Sequence, residues 1–131
     1  MIKLILTGRP ITKKNSQIPI KTKSGKFFII QSKQYRAYEK ECLLQIKEQY
    51  FVQPTITEKV NLKVLYYMPD RRFPDLLNLL QATADIIEKA KVIENDRDIV
   101  SFDDSRIRGV DKDNPRAEVY IDIWKEVNND S

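Results

Sequence analysis

The sequence predicts an α/β fold in which a small mixed four-stranded sheet is covered by two helices. Three stretches alternate apolar and polar residues, as half-buried strands do: Ile2 to Leu6, Val60 to Tyr67 and Glu118 to Trp124. Two further stretches repeat apolar residues at spacings of three and four, the period of a helix. The predicted order β-α-β-α-β-β favours one sheet with both helices packed on it. A chain of 131 residues has the size of one domain, so we expect residues 1–131 to fold as a single unit.

A basic segment follows the first predicted strand. Residues 8–26 hold two prolines, six Lys or Arg residues and no Asp or Glu, a composition that favours a loop or an irregular hairpin. Ser32 is a suitable N-cap for the first helix, which is expected to extend to Tyr50. The residues that share its apolar face at helical spacing are Tyr35, Tyr38, Cys42, Leu43 and Ile46.

The second predicted helix begins after a short basic loop that Pro69 and Pro74 bracket. Asp75 belongs to the residue types preferred at an N-cap, and the helical pattern continues to about Lys89. This pattern is amphipathic, with leucines and an isoleucine on one side and polar residues on the other. A further strand is predicted at Ile99 to Phe102, and a charged turn region separates it from the last strand.

The composition excludes several kinds of site. Cys42 is the only cysteine and the chain has no histidine, which rules out intrachain disulfides, Cys/His zinc sites, Ser-His triads and imidazole acid-base chemistry. Catalysis would therefore use carboxylates, lysine, hydroxyls or a bound metal. The net charge of +4 is a modest indication of an anionic partner. No apolar run approaches the ~20 residues of a membrane span or forms a secretory signal, so the expected location is the cytoplasm.

Three aspartates in and after the second helix are candidates for a catalytic metal site. Mg²⁺ takes oxygen ligands and usually one or two protein carboxylates, which Asp75 and Asp96 would supply. The helix is about 21 Å long and the seven residues that follow span about 23 Å, so Asp96 can only just return to Asp75; otherwise a second subunit must contribute. Asp85 lies roughly 15 Å from Asp75 but can approach Asp96. The ordinary alternatives are a helix cap, a solvated carboxylate and a turn residue.

Four basic residues are candidates for DNA binding. Arg71 and Arg72 precede Asp75, and Lys13 and Lys14 lie in the amino-terminal basic segment. Such cations would neutralise phosphates without reading base sequence, and a solvated surface cluster is the alternative. Cations that attract a polyanion beside acids that hold a metal are the combination that a nucleic-acid phosphodiesterase needs.

The run from Met68 to Asp98, MPDRRFPDLLNLLQATADIIEKAKVIENDRD, resembles the RusA-type Holliday junction resolvases, which are small phage-associated endodeoxyribonucleases. The stretches GRPITKKNSQ and SKQYRAYEK extend the resemblance over most of the chain. The resemblance implies an α/β homodimer that binds four-way DNA junctions in recombination and repair and cuts paired strands with Mg²⁺. It places Asp75 and Asp96 at acidic positions of the family's site. Neither a membrane nor a small-molecule cofactor belongs to this expectation.

Two positions depart from the pattern of the resembled family. Family members carry a further acidic residue at the position of Leu77 and a lysine that aligns with Gln81. Leu77 cannot bind a metal, and Gln81 cannot offer a positive charge to a phosphate. The favoured hypothesis is an active enzyme that uses Asp75, Asp96 and Asp85. The alternative is a junction-binding protein that has lost its nuclease activity.

Overall fold

The computed structural model describes residues 1–13 and 17–127. Its strands and helices run in the order β1 (Ile2–Thr7), β2 (Gln17–Lys21), β3 (Phe27–Gln31), α1 (Lys33–Gln49), β4 (Val60–Met68), α2 (Leu76–Lys89), a 3₁₀ turn (Asp96–Asp98), β5 (Ile99–Ser101), β6 (Arg106–Val110) and β7 (Arg116–Ile123).

The main sheet has five strands of mixed direction. β7 lies between β1 and β4 and is antiparallel to both, with Val119 opposite Leu4 on one side and Val64 on the other. The outer edge of β4 pairs in parallel with β5 near Val60 and with β6 from Leu65 onward. Strands β2 and β3 form a separate antiparallel hairpin.

The predicted fold class is confirmed, with one strand more in the sheet than the predicted four. The additional strand is β6, which lies in the segment predicted as a charged turn region. Its pattern is weak because Ile107 is flanked by the exposed Arg106 and Arg108, and a bulge interrupts its pairing with β4 between Tyr66 and Tyr67. The hairpin occupies the basic segment and continues to Gln31.

The core lies between one face of the sheet and the two α-helices. Alternate residues of β4, among them Leu62 and Val64, are fully buried, as the period of two predicts. Cys42 and Ile46 of α1 and Ile87 of α2 pack against them. None of the helices in the described ranges combines the length and the apolar character needed to cross a membrane.

The end of α2 turns sharply and returns along the sheet. Lys91 adopts a left-handed backbone conformation (φ 63°), and the Val92 amide donates to the Ile87 carbonyl at 3.0 Å. Val92 and Ile93 are fully buried, so burial of their side chains fixes the direction of the returning chain. The 3₁₀ turn that contains Asp96 is thereby held beside the carboxyl-terminal half of α2.

Candidate active site

Three carboxylates meet where the 3₁₀ turn contacts α2. Asp85, Glu88 and Asp96 each offer an oxygen, and these oxygens all lie within 4.8 Å of one another. Asp85 and Glu88 are three residues apart on one helix face, and the Asp96 amide donates to Glu88 Oε2 at 3.2 Å. We call these three residues the carboxylate cluster. Like charges this close repel one another unless a cation or a shared proton compensates them.

A lysine from the amino-terminal segment supplies one compensating charge. Lys13 Nζ donates to Asp85 Oδ2 at 2.9 Å, and both side chains are partly buried, with exposed fractions of 29% and 23%. Lys13 borders a cavity of about 260 Å³ with Asp85, Glu88, Lys89 and Lys91. The cluster fits a divalent cation, because carboxylate oxygens are the ligands that hard ions such as Mg²⁺ prefer.

Asp75 lies at the other end of α2 and caps it. Its Oδ1 accepts hydrogen bonds from the amides of Leu77 at 2.8 Å and Asn78 at 3.4 Å. Ten residues of helix separate Asp75 from Asp85 by roughly 15 Å, whereas two ligands of one Mg²⁺ ion lie at most about 4 Å apart. Within one chain, therefore, the structure brings Asp96 together with Asp85 and not with Asp75.

Leu77 and Gln81 line a shallow groove between α2 and β5. The groove has a volume of about 220 Å³, and Asp96 lies at its border. Leu77 is 74% exposed, so its apolar side chain projects into solvent from the first turn of the helix. Asp96 thus belongs to the carboxylate cluster and also borders this groove.

The three predicted DNA-binding residues that the structure describes lie in three different settings. Arg72 pairs with Asp70 at 2.9 Å, and Arg71 is exposed without an ion pair in the described ranges. Lys13 contacts the carboxylate cluster instead of open surface, and Lys14 lies outside the described residues. Hydrogen bonds from Arg72 and Arg9 hold the pKa of Asp70 well below its usual range, so this carboxylate stays ionised.

Comparison with known proteins identifies the family. The family described as Endodeoxyribonuclease RusA matches residues 7–122. The chain belongs to the RusA family. Crossover junction endodeoxyribonuclease RusA from Aquifex aeolicus (strain VF5) is 32% identical over 95 residues, which cover 72% of this chain and 71% of the relative. The resemblance found from the sequence is confirmed, and the chain is classed as an endodeoxyribonuclease.

Glu88 is the member of the carboxylate cluster that sequence reasoning missed. Its signal was its position three residues after Asp85, which places both side chains on one face of α2. Asp85 and Glu88 lie beside Asp96, whereas Leu77 and Gln81 of the groove offer no carboxylate. These carboxylates offer the oxygen ligands that a divalent cation prefers, and three lysines (Lys13, Lys89 and Lys91) line the cavity beside them.

Proposed function

We propose that this RusA-family chain is a single-domain Mg²⁺-dependent endodeoxyribonuclease that resolves four-way DNA junctions by paired strand cleavage. Family membership supports the reaction class, and the curated relative from Aquifex aeolicus is by its name a crossover junction endodeoxyribonuclease. The carboxylate cluster is the structural observation that supports a metal-dependent reaction, because three oxygens within 4.8 Å suit one divalent ion.

In this proposal Asp96 is the central ligand, and Asp85 and Glu88 complete the protein's share of the ion's ligands. When bound, Mg²⁺ would stabilise charge on a phosphate and lower the pKa of a bound water. Asp96 projects from the 3₁₀ turn beside the groove, which leaves it accessible from outside. Asp85 and Glu88 are more enclosed and anchor the cluster to a rigid helix.

We also propose that Asp75 binds a metal ion, at the start of α2 and apart from Asp85. The hydrogen bonds of the cap use its Oδ1, which leaves Oδ2 available to a cation. Its separation from the carboxylate cluster means that Asp75 and Asp96 share an ion only if they come from two subunits. This arrangement is consistent with a homodimer, which we propose as the active species.

Lys13 has two proposed roles. It neutralises Asp85 before an ion binds, and it moves to a DNA phosphate when the ion takes its place. Lys14, Arg71 and Arg72 are proposed to contact the phosphate backbone as well. Such contacts carry affinity without base specificity, as suits a nuclease that recognises DNA shape.

A second candidate function is a junction-binding protein without nuclease activity. The groove favours this alternative, because Leu77 presents an apolar side chain and Gln81 an uncharged one where the resembled family has an acid and a lysine. An end-labelled four-way junction incubated with the protein, with and without Mg²⁺, distinguishes the two functions. Strand cleavage only with Mg²⁺ supports the nuclease, and binding without cleavage supports the alternative.

A further inference from the structure

A second polar cavity is lined in part by the loop that leads into α2. It has a volume of about 330 Å³ and is open to solvent. The segment that follows β1, the first turn of α1 and the loop before Asp75 form its walls. Its polar lining includes Arg9, Gln34 and Arg72.

Two arginines of this cavity are fixed by one carboxylate. Arg9 donates to both oxygens of Asp70, from Nη1 at 2.9 Å and from Nη2 at 3.3 Å. Arg72 donates to Oδ2 from Nη2 at 2.9 Å and from Nε at 3.3 Å. The Arg72 amide also donates to Oδ1 at 2.9 Å, which fixes the carboxylate to the loop. Two guanidinium groups from distant parts of the chain are therefore held side by side.

The arrangement leaves both charge and donors for a ligand. Two guanidinium groups and one carboxylate carry a net charge of +1. A guanidinium has five N–H donors in a planar fork, and each of these uses two on Asp70. The other three on each arginine have no acceptor in the described ranges of the chain. Planar, pre-oriented N–H groups on a positive site match the oxygens of a phosphate.

We propose that Arg9 and Arg72 form a pocket for one backbone phosphate of the DNA, with the Gln34 amide as an additional donor. This inference rests on the proposed function, because it names a DNA contact of the same enzyme. Asp70 acts as a positioning residue that sets the two arginines at one spacing. Since Arg72 lies three residues before Asp75, a phosphate held here fixes the DNA relative to the start of α2.

Pairing protein variants with modified DNA tests the pocket. Binding is measured without Mg²⁺, so that cleavage does not interfere, for wild type, Arg9→Gln and Arg72→Gln. The DNA probes are a four-way junction and a plain duplex, each with single phosphates replaced in turn by neutral methylphosphonate. Lys47→Gln is the charge control, because Lys47 and Gln34 lie at opposite ends of α1, about 20 Å apart.

Both arginine variants are expected to lose at least about tenfold in affinity for unmodified DNA, as for a hydrogen bond to a charged group. That loss should vanish when one particular phosphate is neutralised, and it should be the same phosphate for both variants. Lys47→Gln should show no such position. Different phosphates for Arg9 and Arg72, or no position for either, would overturn the pocket.

The duplex separates this inference from the proposed function. The pocket recognises a phosphate and not a junction, so the same interference pattern is expected on both probes. A shared phosphate on the duplex, without preference for the junction, would leave the pocket standing and contradict junction resolution. A preference for the junction without a shared phosphate would support the proposed function and contradict the pocket. The Asp70→Asn variant keeps the shape of the side chain and loses its charge. If Asp70 positions the arginines, neutralising any one of several phosphates should then weaken binding by this variant, instead of one phosphate alone.

Discussion

Lys13 Nζ lies 2.9 Å from Asp85 Oδ2, although 72 residues separate the two in the sequence. The pair joins the amino-terminal basic segment to the carboxylate cluster on α2. A lysine placed in this way competes with any divalent ion for the same oxygen. The electrostatic state of the cluster therefore depends on a residue that was predicted only as a phosphate contact.

Removing this competition should strengthen metal binding. With Lys13→Gln, we expect the Mg²⁺ concentration for half-maximal cleavage to fall by about two- to fivefold, the range that an ion pair worth up to about 1 kcal/mol allows. A Mg²⁺ titration at saturating junction measures it, with Lys47→Gln as the control for lost charge. An unchanged or raised Mg²⁺ requirement in Lys13→Gln would show that Lys13 does not compete with the ion.

Asp75 has a structural and a chemical role that two substitutions separate. Asp75→Ala removes the cap of α2 and should lower the free energy of unfolding by about 1 kcal/mol, whereas Asp75→Asn retains a capping side chain. If Asp75 also binds a metal, both variants lose cleavage while only Asp75→Ala loses stability. Denaturant unfolding and junction cleavage are the two measurements. Normal turnover by Asp75→Asn would show that Asp75 caps the helix and binds no catalytic metal.

Leu77 offers a gain-of-function test. Leu77→Asp places an acid in the first turn of α2, where the helix dipole favours a negative charge and where the side chain is 74% exposed. We expect the fold to tolerate it and the cleavage rate at limiting Mg²⁺ to rise by at least about tenfold. Leu77→Asn is the control of equal size without charge. Equal rates for the two variants would mean that an acid at this side of the groove adds nothing to cleavage.

If the active species is a homodimer, dimers that contain one wild-type and one variant subunit should cut only one strand. Sedimentation at working concentration is expected to give a species of twice the chain's mass. Wild type mixed with an excess of Asp96→Asn should nick one strand of a junction and leave the paired strand whole, because each subunit cuts once. Paired cuts by a species of one chain's mass would contradict this prediction.

Local patterns in the sequence predicted much of the fold. The alternation in β4 and the capping position of Asp75 are local signals, and both elements lie where they were expected. β6 was missed because it has a single inward apolar residue, Ile107, and takes its place only by pairing with β4. Pairing with a distant strand leaves little trace in a short segment's own sequence.

The site was less predictable because its contacts join residues that are far apart in the sequence. Asp96 was a candidate because the chain after α2 is just long enough to return toward Asp75, and Asp85 was a candidate because it can approach Asp96. The contact of Lys13 with Asp85, and the sharing of Asp70 by Arg9 and Arg72, depend on how the amino-terminal segment packs against the rest. No local pattern encodes a contact over 61 or 72 residues.

The cleavage of a four-way junction by wild type and by Asp96→Asn tests the central claim most directly. End-labelled junction is incubated with each protein at saturating concentration, in Mg²⁺ and in EDTA, with binding measured in parallel. We predict paired cuts by wild type in Mg²⁺ alone, and for Asp96→Asn a rate lower by about 100-fold or more with junction binding retained. Cleavage by Asp96→Asn at the wild-type rate, or wild-type protein that binds the junction and never cuts it, would contradict the claim.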